Sequence, residues 1–241
     1  MRVEIAVQDT AGAAIAYDAG AVRSELCVAL PLGGLTPSVG VIRQIRSTVP
    51  GLSLHVLIRP RPGGFVYSPT ELELMAGDIS AAADEGVAGI VVGVLTGTGR
   101  VDAGAVETLR QAAPGLEYTF HRAIDHTPSP LAALDAIAAA GFTRVLTSGG
   151  APTAGQGIAA LQSMVAAGSG LTILAGGGVT IDDLPALAAA GISEVHLSAK
   201  SIHRPSGSGV PLGTSDTEGT SYQVTDSAQV AAVIDQANRL G

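Results

Sequence analysis

The chain has 241 residues, of which 46% are hydrophobic and 14% are charged, and its formal net charge is −8. Lys and Arg never form a run longer than a pair, which argues against a nucleic-acid partner, because such binding depends on neutralising many phosphates. No apolar run approaches the roughly 20 residues that span a bilayer, and the single cysteine, Cys27, suits a reducing compartment. We therefore expect a cytoplasmic protein with neither a nucleic-acid nor a membrane partner.

Strand-like and helical segments alternate along the whole chain. Residues 134–148 (LDAIAAAGFTRVLTS) closely match residues 184–198 (LPALAAAGISEVHLS), which signals a repeated supersecondary unit. Glycines that suit a left-handed helix C-cap recur before short apolar runs, at Gly20, Gly86, Gly141 and Gly191. Eight strands are predicted to begin near Val3, Val22, Leu54, Gly89, Glu117, Arg144, Leu171 and Glu194.

Capping signals mark the helix starts between these strands. Residues 68–71 (SPTE) form a capping box with Pro at the first helical position, and Thr36-Pro37 and Ser129-Pro130 repeat the cap-then-Pro pattern. Eight βα units without a leftover element predict a single domain over residues 1–241, an α/β fold of the closed eight-stranded parallel (β/α)8 or TIM-barrel type. A Gly/Ser/Pro/Thr-rich segment predicts one long loop near residues 201–224.

Side-chain alternation along the strands predicts which residues face the barrel axis. The inward set contains ionisable side chains at Glu4, Glu25, Arg59, His121 and His196, with Cys27, Ser148 and Ser198 nearest the mouth. Buried ionisable groups are costly unless they are paired. We expect structural ion pairs at the closed end, from Arg23, Arg144 and Glu194. Nearer the mouth we expect a functional site, because perturbed ionisable groups in a cleft mark such sites.

Two arginines leave the third predicted strand, in the segment at residues 59–64 (RPRPGG). Each precedes a proline and is biased toward extended backbone, so Arg59 and Arg61 are able to point to one side. Two planar guanidiniums over one pocket suit a carboxylate or a phosphate. The alternative is a solvated loop. We predict that Arg59 and Arg61 clamp an anion.

Glycines follow the seventh predicted strand at residues 176–178, and Ser198 and Lys200 follow the eighth. Barrels of this class frequently bind phosphate with the loops after those two strands, where glycine lets backbone N–H groups approach an anion. A glycine run by itself is often only a tight turn. At this position in the fold it predicts an anion site that contains Gly177, Gly178, Ser198 and Lys200.

The fifth predicted strand ends in residues 121–125 (HRAID). Histidine is the commonest general acid or base, although a lone interior histidine is as often structural. Glu25 across the barrel supplies a second candidate for proton transfer. The predicted catalytic set is Glu25, His121, Arg59, Arg61 and Asp125.

Six strings of these residues together resemble the CutC copper-homeostasis family. They are residues 24–27 (SELC), 33–38 (GGLTPS), 58–61 (IRPR), 119–123 (TFHRA), 144–149 (RVLTSG) and 194–196 (EVH), in family order over roughly residues 1 to 200. The resemblance implies a cytoplasmic, oligomeric barrel with a copper-binding role, and it makes Cys27 the candidate metal ligand. Family members often have more cysteines, whereas this chain has only Cys27.

Two functions follow from these features. The resemblance implies copper homeostasis, with a copper ion as the partner, and it alone points to copper as a cofactor. The residues themselves favour an enzyme, an isomerase, lyase or related acid–base catalyst, that acts on a small anionic metabolite, of which a phosphorylated compound is one example. Copper(I) prefers several thiolate or thioether ligands, and one thiol predicts weak copper(I) binding that Cys27→Ser removes. A free cysteine is also often only a small buried hydrophobe.

Overall fold

The computed structural model describes residues 1–204 and 221–240. Eight parallel strands form one closed barrel in which each strand pairs with the next and the eighth pairs with the first. The predicted fold is therefore confirmed, and each strand begins within a residue of its predicted start. The strands are β1 (Arg2–Val7), β2 (Arg23–Leu26), β3 (Leu54–Leu57), β4 (Gly89–Val92), β5 (Glu117–Phe120), β6 (Arg144–Thr147), β7 (Thr172–Gly176) and β8 (Glu194–Leu197).

Eight α-helices follow the strands and cover the barrel. They are α1 (Thr10–Asp18), α2 (Val39–Thr48), α3 (Pro69–Asp84), α4 (Ala103–Gln111), α5 (Pro130–Ala139), α6 (Ile158–Ala166), α7 (Leu184–Ala189) and α8 (Ser227–Arg239). Short 3₁₀ segments occupy Leu30–Leu32, Arg122–His126 and Ile181–Asp183. None of the helices in the described ranges has both the length and the apolar character needed to cross a membrane.

The capping signals set the helix starts by satisfying free backbone N–H groups. The Ser68 box is present at α3, and the Ser129 hydroxyl caps α5. The prediction at Thr36 is wrong, because the hydroxyl of Ser38 caps α2 instead. Thr36 Oγ1 accepts a hydrogen bond from the backbone N–H of Arg59 at 2.8 Å and so fastens the loop after β2 to the end of β3.

The main hydrophobic core lies between the barrel and its helices. It consists mainly of Val, Ile, Leu and Ala, as expected for a parallel sheet that is covered on its outer face. The barrel interior is different, because it buries Glu4, Arg23, Glu25, Arg144 and Glu194. Burial of so many ionisable groups singles out the barrel axis as the part of the molecule where pairing and function must be examined.

The chain after β8 forms an antiparallel ribbon of β9 (Lys200–His203) and β10 (Tyr222–Thr225). Thr225 pairs with Lys200, which brings the start of α8 back to the barrel mouth. The predicted loop near residues 201–224 thus has paired strands at its two ends. Its central part, residues 205–220, lies outside the described residues.

Candidate functional site

A cavity of about 670 Å³ opens at the end of the barrel where the strands lead into their following loops. Strand residues Glu25 and His196 form its floor, His121 and Phe65 form part of its wall, and Lys200 lies at its rim. Barrels of this class place their ligand sites at this C-terminal face. The cavity is therefore the candidate functional site.

Three titratable side chains, Glu25 and His196 at the floor and Glu4 directly beneath it, meet because β1 lies between β2 and β8. The register pairs Glu4 with His196 and Ala6 with Glu25. The Nδ1 of His196 lies 2.6 Å from Oε1 of Glu4, and one ligand-type side-chain atom from each of Glu4, Glu25 and His196 lies within 4.8 Å of those of the other two. Glu25 is 5% exposed, and its Oε2 has no hydrogen-bond partner within the described chain. An unpartnered buried carboxyl group thus faces the cavity.

The surroundings shift the pKa values of the Glu25 and Glu4 carboxyl groups in opposite directions. Burial raises the pKa of Glu25 to about 7, against the opposing charge of His196. Burial would also raise the pKa of Glu4, but the hydrogen bond with His196 and the charge of Arg23 hold it well below its usual range. For His196, burial favours the neutral ring, and the nearby Glu25 and Glu4 carboxylates outweigh it and raise the pKa. Glu4 is therefore a permanent carboxylate, whereas Glu25 titrates near neutrality.

Beneath the floor, the predicted structural ion pairs fill the closed end of the barrel. Arg23 donates from Nε to Glu4, and from Nη2 to Glu194 at 2.8 Å. Arg144 donates from Nε to the same Glu194 carboxylate at 3.0 Å. Each of these charges has an opposite charge beside it, which offsets the cost of burying it.

His121 lies in the cavity wall as a neutral ring. Its Nδ1 accepts a hydrogen bond from the backbone N–H of Ala123 at 3.2 Å, and its ring centroid lies 4.9 Å from that of Phe65. Burial, with help from the charge of Arg59, lowers the pKa of His121 to about 3. A Cβ at Gly93 would lie 2.5 Å from Nδ1, so the imidazole fits only against glycine. His121 is unsuited to accept protons at neutral pH.

The two arginines after β3 do not converge on one ligand position. The Arg59 guanidinium lines the cavity but donates to the backbone carbonyls of Leu32, Gly34 and Gly63. Arg61 is outside the cavity lining, pairs with Glu71 and lies 4.9 Å from the Tyr67 ring centroid. Their hydrogen bonds show that both arginines hold the loop after β3 in place.

Asp125 fastens the loops that follow β5 and β6. Its carboxylate accepts hydrogen bonds from Arg122 Nε at 2.9 Å and from the backbone N–H groups of Ser148 and Gly150 at 3.1 and 3.0 Å. Asp125 is outside the cavity lining, whereas Arg122 lines it. Asp125 therefore positions Arg122 beside the cavity.

The rim after β7 and β8 collects hydrogen-bond donors that are free. Gly177 and Gly178 have φ angles of +97° and +64°, which suit glycine. Within the two described ranges, their N–H groups and that of Ser198 donate to no protein acceptor. The Lys200 ammonium, also at the rim, has no ion pair or hydrogen bond there. Lys200 is the only lysine in the sequence.

Cys27 is fully buried and packs with Leu57 and Val91 in a small apolar cluster apart from the main core. It does not line the cavity. Burial raises the pKa of its thiol, and the charge of Glu25 raises it further. Since the thiolate is the metal-binding form, this environment opposes metal binding.

The donor sets present do not fit a copper(I) site. Over residues 1–204 and 221–240, the grouping of His, Cys, Asp and Glu that could surround an ion is Glu4, Glu25 and His196, without Cys27. Its oxygen and nitrogen donors are harder than the thiolates that copper(I) prefers. Within this group, His196 Nδ1 and Glu4 Oε1 are already hydrogen-bonded to each other. Arg23 also places a positive charge beside Glu4, which opposes the binding of a cation there.

Two features of the cavity and its surroundings were missed in the sequence. His196 and Glu4 were both predicted to face inward, but their pairing was not. The residues are far apart in the chain and meet because β8 closes onto β1. Arg122 was also missed as a cavity residue. Its position immediately after His121, at the end of a strand, was an available signal.

The fold and the cavity define an eight-stranded β/α-barrel protein with a polar cavity at its C-terminal mouth. The model of the CutC family matches residues 1–201. The chain therefore belongs to the CutC family, as its six motifs predict.

Relatives with known names agree with this assignment. A CutC family protein of Photobacterium profundum is 39% identical, and the match covers 97% of this chain and 98% of that protein. One from Salmonella typhimurium is 44% identical over 75% of this chain and 72% of its own length. A solved CutC structure from Streptococcus agalactiae, described as a candidate copper homeostasis protein, has a TM-score of 0.77 and 32% identity and covers 81% of this chain and 97% of that one.

More distant solved structures share the fold alone. Phosphoribosyl anthranilate isomerase from Thermus thermophilus has a TM-score of 0.62 at 16% identity, and the match covers 100% of both chains. Because barrels of this type host many unrelated chemistries, this similarity says nothing of the reaction.

Proposed function

We propose that this protein is an enzyme that performs acid–base chemistry on a small anionic, phosphate-bearing metabolite, with Glu25 as the proton-transferring group. One observation supports the proposal most strongly. The Glu25 carboxyl group is buried at the floor of an open cavity, and its Oε2 has no protein partner among the described residues. A buried polar atom without a partner costs about 1–3 kcal/mol, so a bound ligand is its natural partner.

The protonation behaviour of Glu25 suits proton transfer at neutral pH. A general acid or base works best when its pKa lies near the operating pH, because both protonation states are then populated. A pKa of about 7 meets this condition. His121 was an equally good candidate from the sequence, but its lowered pKa makes it a neutral hydrogen-bonding group instead.

The charges around the cavity favour an anion. Its lining has three cationic side chains, Arg59, Arg122 and Lys200, whereas Glu25 is the acidic one in the described chain. The free N–H groups of Gly177 and Gly178 are successive donors of the kind that bind phosphate. We place the anion at this rim, beside Lys200, rather than between Arg59 and Arg61.

The single lysine provides a direct test of the anion site. Reductive methylation with ¹³C-formaldehyde keeps the positive charge and labels only Lys200 and the N-terminal amine. Inorganic phosphate should shift the Lys200 resonance saturably. The amine of Met1, which bonds to the carbonyl of Ala237, should not respond and serves as the internal control. A Lys200 resonance that phosphate leaves unchanged contradicts the anion site.

Turnover tests the role of Glu25. A panel of phosphorylated metabolites is incubated with the protein and followed by ³¹P NMR. Glu25→Gln should abolish conversion of any substrate found while leaving the phosphate titration intact, since the substitution is nearly isosteric but removes the titrating proton. Conversion at the unmodified protein's rate in Glu25→Gln would exclude Glu25 as the acid or base.

Copper homeostasis is the second candidate, and the family assignment favours it. The Streptococcus agalactiae relative is described as a candidate copper homeostasis protein. In this chain the candidate ligand is Cys27, which lies in an apolar cluster. We propose that any copper(I) binding is weak and depends on Cys27. Anaerobic competition against a copper(I) chelator, with Cys27→Ser as control, tests it, and tight binding that survives the substitution contradicts this account.

A further inference from the structure

Proton transfer at a carbon next to a carbonyl group is helped by one group that takes the carbon proton and a second that protonates the carbonyl oxygen. From the sequence, His121 was the candidate to act with Glu25. The structure argues against that assignment. The Nδ1 of His121 is occupied by the backbone N–H of Ala123, and the ring is neutral. A neutral ring whose Nδ1 accepts carries its proton on Nε2, which has no hydrogen-bond partner within the described residues. A neutral imidazole holds this proton too tightly to act as a general acid at neutral pH.

His196 has the properties that His121 lacks. It lies in the cavity floor, and its Nδ1 is 2.6 Å from Oε1 of Glu4. Glu4 is a buried carboxylate whose other oxygen accepts from Arg23, so its position is fixed from both sides. A carboxylate at this distance orients an imidazole and stabilises the imidazolium form. The proton on Nδ1 then points at Glu4, and Nε2 is the nitrogen available to a ligand.

We propose that His196, oriented by Glu4, is the second proton-transfer group of the cavity, and that Glu25 and His196 together catalyse proton transfer at a carbon next to a carbonyl group. This inference rests on the proposed function and gives it a reaction class. One ligand-type atom from each of Glu4, Glu25 and His196 lies within 4.8 Å of those of the other two, so one small substrate is able to contact both Glu25 and His196.

The step balances without a cofactor. The Glu25 carboxylate takes the proton from the carbon next to the carbonyl, and the C–H electron pair forms the carbon–carbon double bond of an enediol. The carbonyl electron pair moves to its oxygen, which takes the proton from Nε2 of His196. In an α-hydroxy carbonyl substrate, Glu25 then returns its proton to the neighbouring carbon, and neutral His196 recovers a proton from the other hydroxyl group. The net reaction is an isomerisation.

A histidine titration tests the assignment without a substrate. With ¹⁵N-labelled histidine, NMR should show the His196 ring titrating above the usual histidine range and protonated at Nδ1, whereas His121 stays neutral. Glu4→Gln should lower the His196 pKa, because it removes the carboxylate that stabilises the imidazolium. A His121 ring that titrates near neutrality, or a His196 pKa that Glu4→Gln leaves unchanged, overturns the assignment.

Solvent exchange tests the reaction class. A panel of phosphorylated aldoses and ketoses is incubated in D₂O, and deuterium at the carbon next to the carbonyl is measured by NMR. His196→Gln should slow exchange about 100-fold or more. Glu4→Gln should move the basic limb of the pH profile to lower pH. His203→Gln, the same substitution on the exposed β9 outside the cavity lining, should change neither.

The outcomes separate this inference from the proposed function. One outcome would overturn the inference and leave the proposed function standing. In it, phosphate binds at Lys200 and some other substrate is converted in a Glu25-dependent way, but no sugar phosphate of the panel exchanges deuterium. No phosphate binding together with no Glu25-dependent conversion would overturn both. If His196→Gln exchanges deuterium at the rate of the unmodified protein, His196 alone is excluded as a proton-transfer group.

Discussion

Glu25→Gln should make the protein more stable at alkaline pH, even though it removes the proposed catalytic group. Burial raises the pKa of Glu25 from 4.5 to about 7, so the folded state holds this proton more tightly than the unfolded chain. The contribution to stability is fully present below pH 4.5 and is lost as the pH rises through about 7. At about 1.36 kcal/mol per pH unit, the loss amounts to about 3 kcal/mol.

The amide that Glu25→Gln introduces does not titrate, so the loss is absent in the variant. Between about pH 5 and pH 8.5, the free energy of unfolding of Glu25→Gln should therefore gain about 2–3 kcal/mol relative to the unmodified protein. For a domain of this size, that corresponds to a difference in Tm of roughly 4–12 °C. Chemical unfolding and calorimetry over this pH range measure both quantities.

Glu73→Gln is the matched control, because it is the same substitution at an exposed position on α3, outside the cavity lining. A Glu25→Gln stability that runs parallel to the unmodified protein at every pH would show that Glu25 has an ordinary pKa. The proposed role of Glu25 would then lose its electrostatic basis. A gain in stability with a loss of turnover is instead the pattern expected of a residue kept for function at a cost in stability.

Three further substitutions test other parts of the structure. Lys200→Ala should weaken binding of inorganic phosphate about tenfold or more by calorimetry, because a charge-assisted hydrogen bond contributes about 1.5–3 kcal/mol, and unchanged affinity would place the anion elsewhere. Gly93→Ala should lower the free energy of unfolding by about 1–3 kcal/mol in urea, since its Cβ would overlap the His121 ring, and a neutral result would mean that the ring is free to move. Cys27→Ser should lower stability by about 1–3 kcal/mol, because it places a hydroxyl group in an apolar cluster, and an unchanged unfolding midpoint would contradict that packing.

The fold was predictable because its signals are local and repeated. Four βα units end a helix at a glycine, at Gly20, Gly86, Gly141 and Gly191, and a strand begins three residues after each of them. The remaining strands were placed from their apolar runs and from the capping signals between them. The same alternation predicted that Glu25, His121 and His196 face the interior, and they line the cavity. Alternation along one strand shows which of its side chains face inward, whichever strands are its neighbours.

The pairings within the site were not predictable, because they join residues that lie far apart in the chain. Glu4 and His196 meet only because the barrel closes β8 onto β1. Alternation along a strand also does not determine where the end of a long side chain points. Arg59 and Arg61 are two residues apart and were therefore expected to point to the same side. Arg61 instead pairs with Glu71, whereas Arg59 donates to backbone carbonyls in the cavity wall. These outcomes depend on the loops, whose shapes have no sequence period.

A high-resolution crystal structure of the protein soaked with inorganic phosphate tests the proposed anion site most directly. We expect phosphate at the rim, within hydrogen-bond distance of the N–H groups of Gly177 and Gly178 and of the Lys200 ammonium, with open space between the phosphate and Glu25. The proposed site would be contradicted by phosphate bound between Arg59 and Arg61, or by loops after β7 and β8 that pack against each other and exclude it.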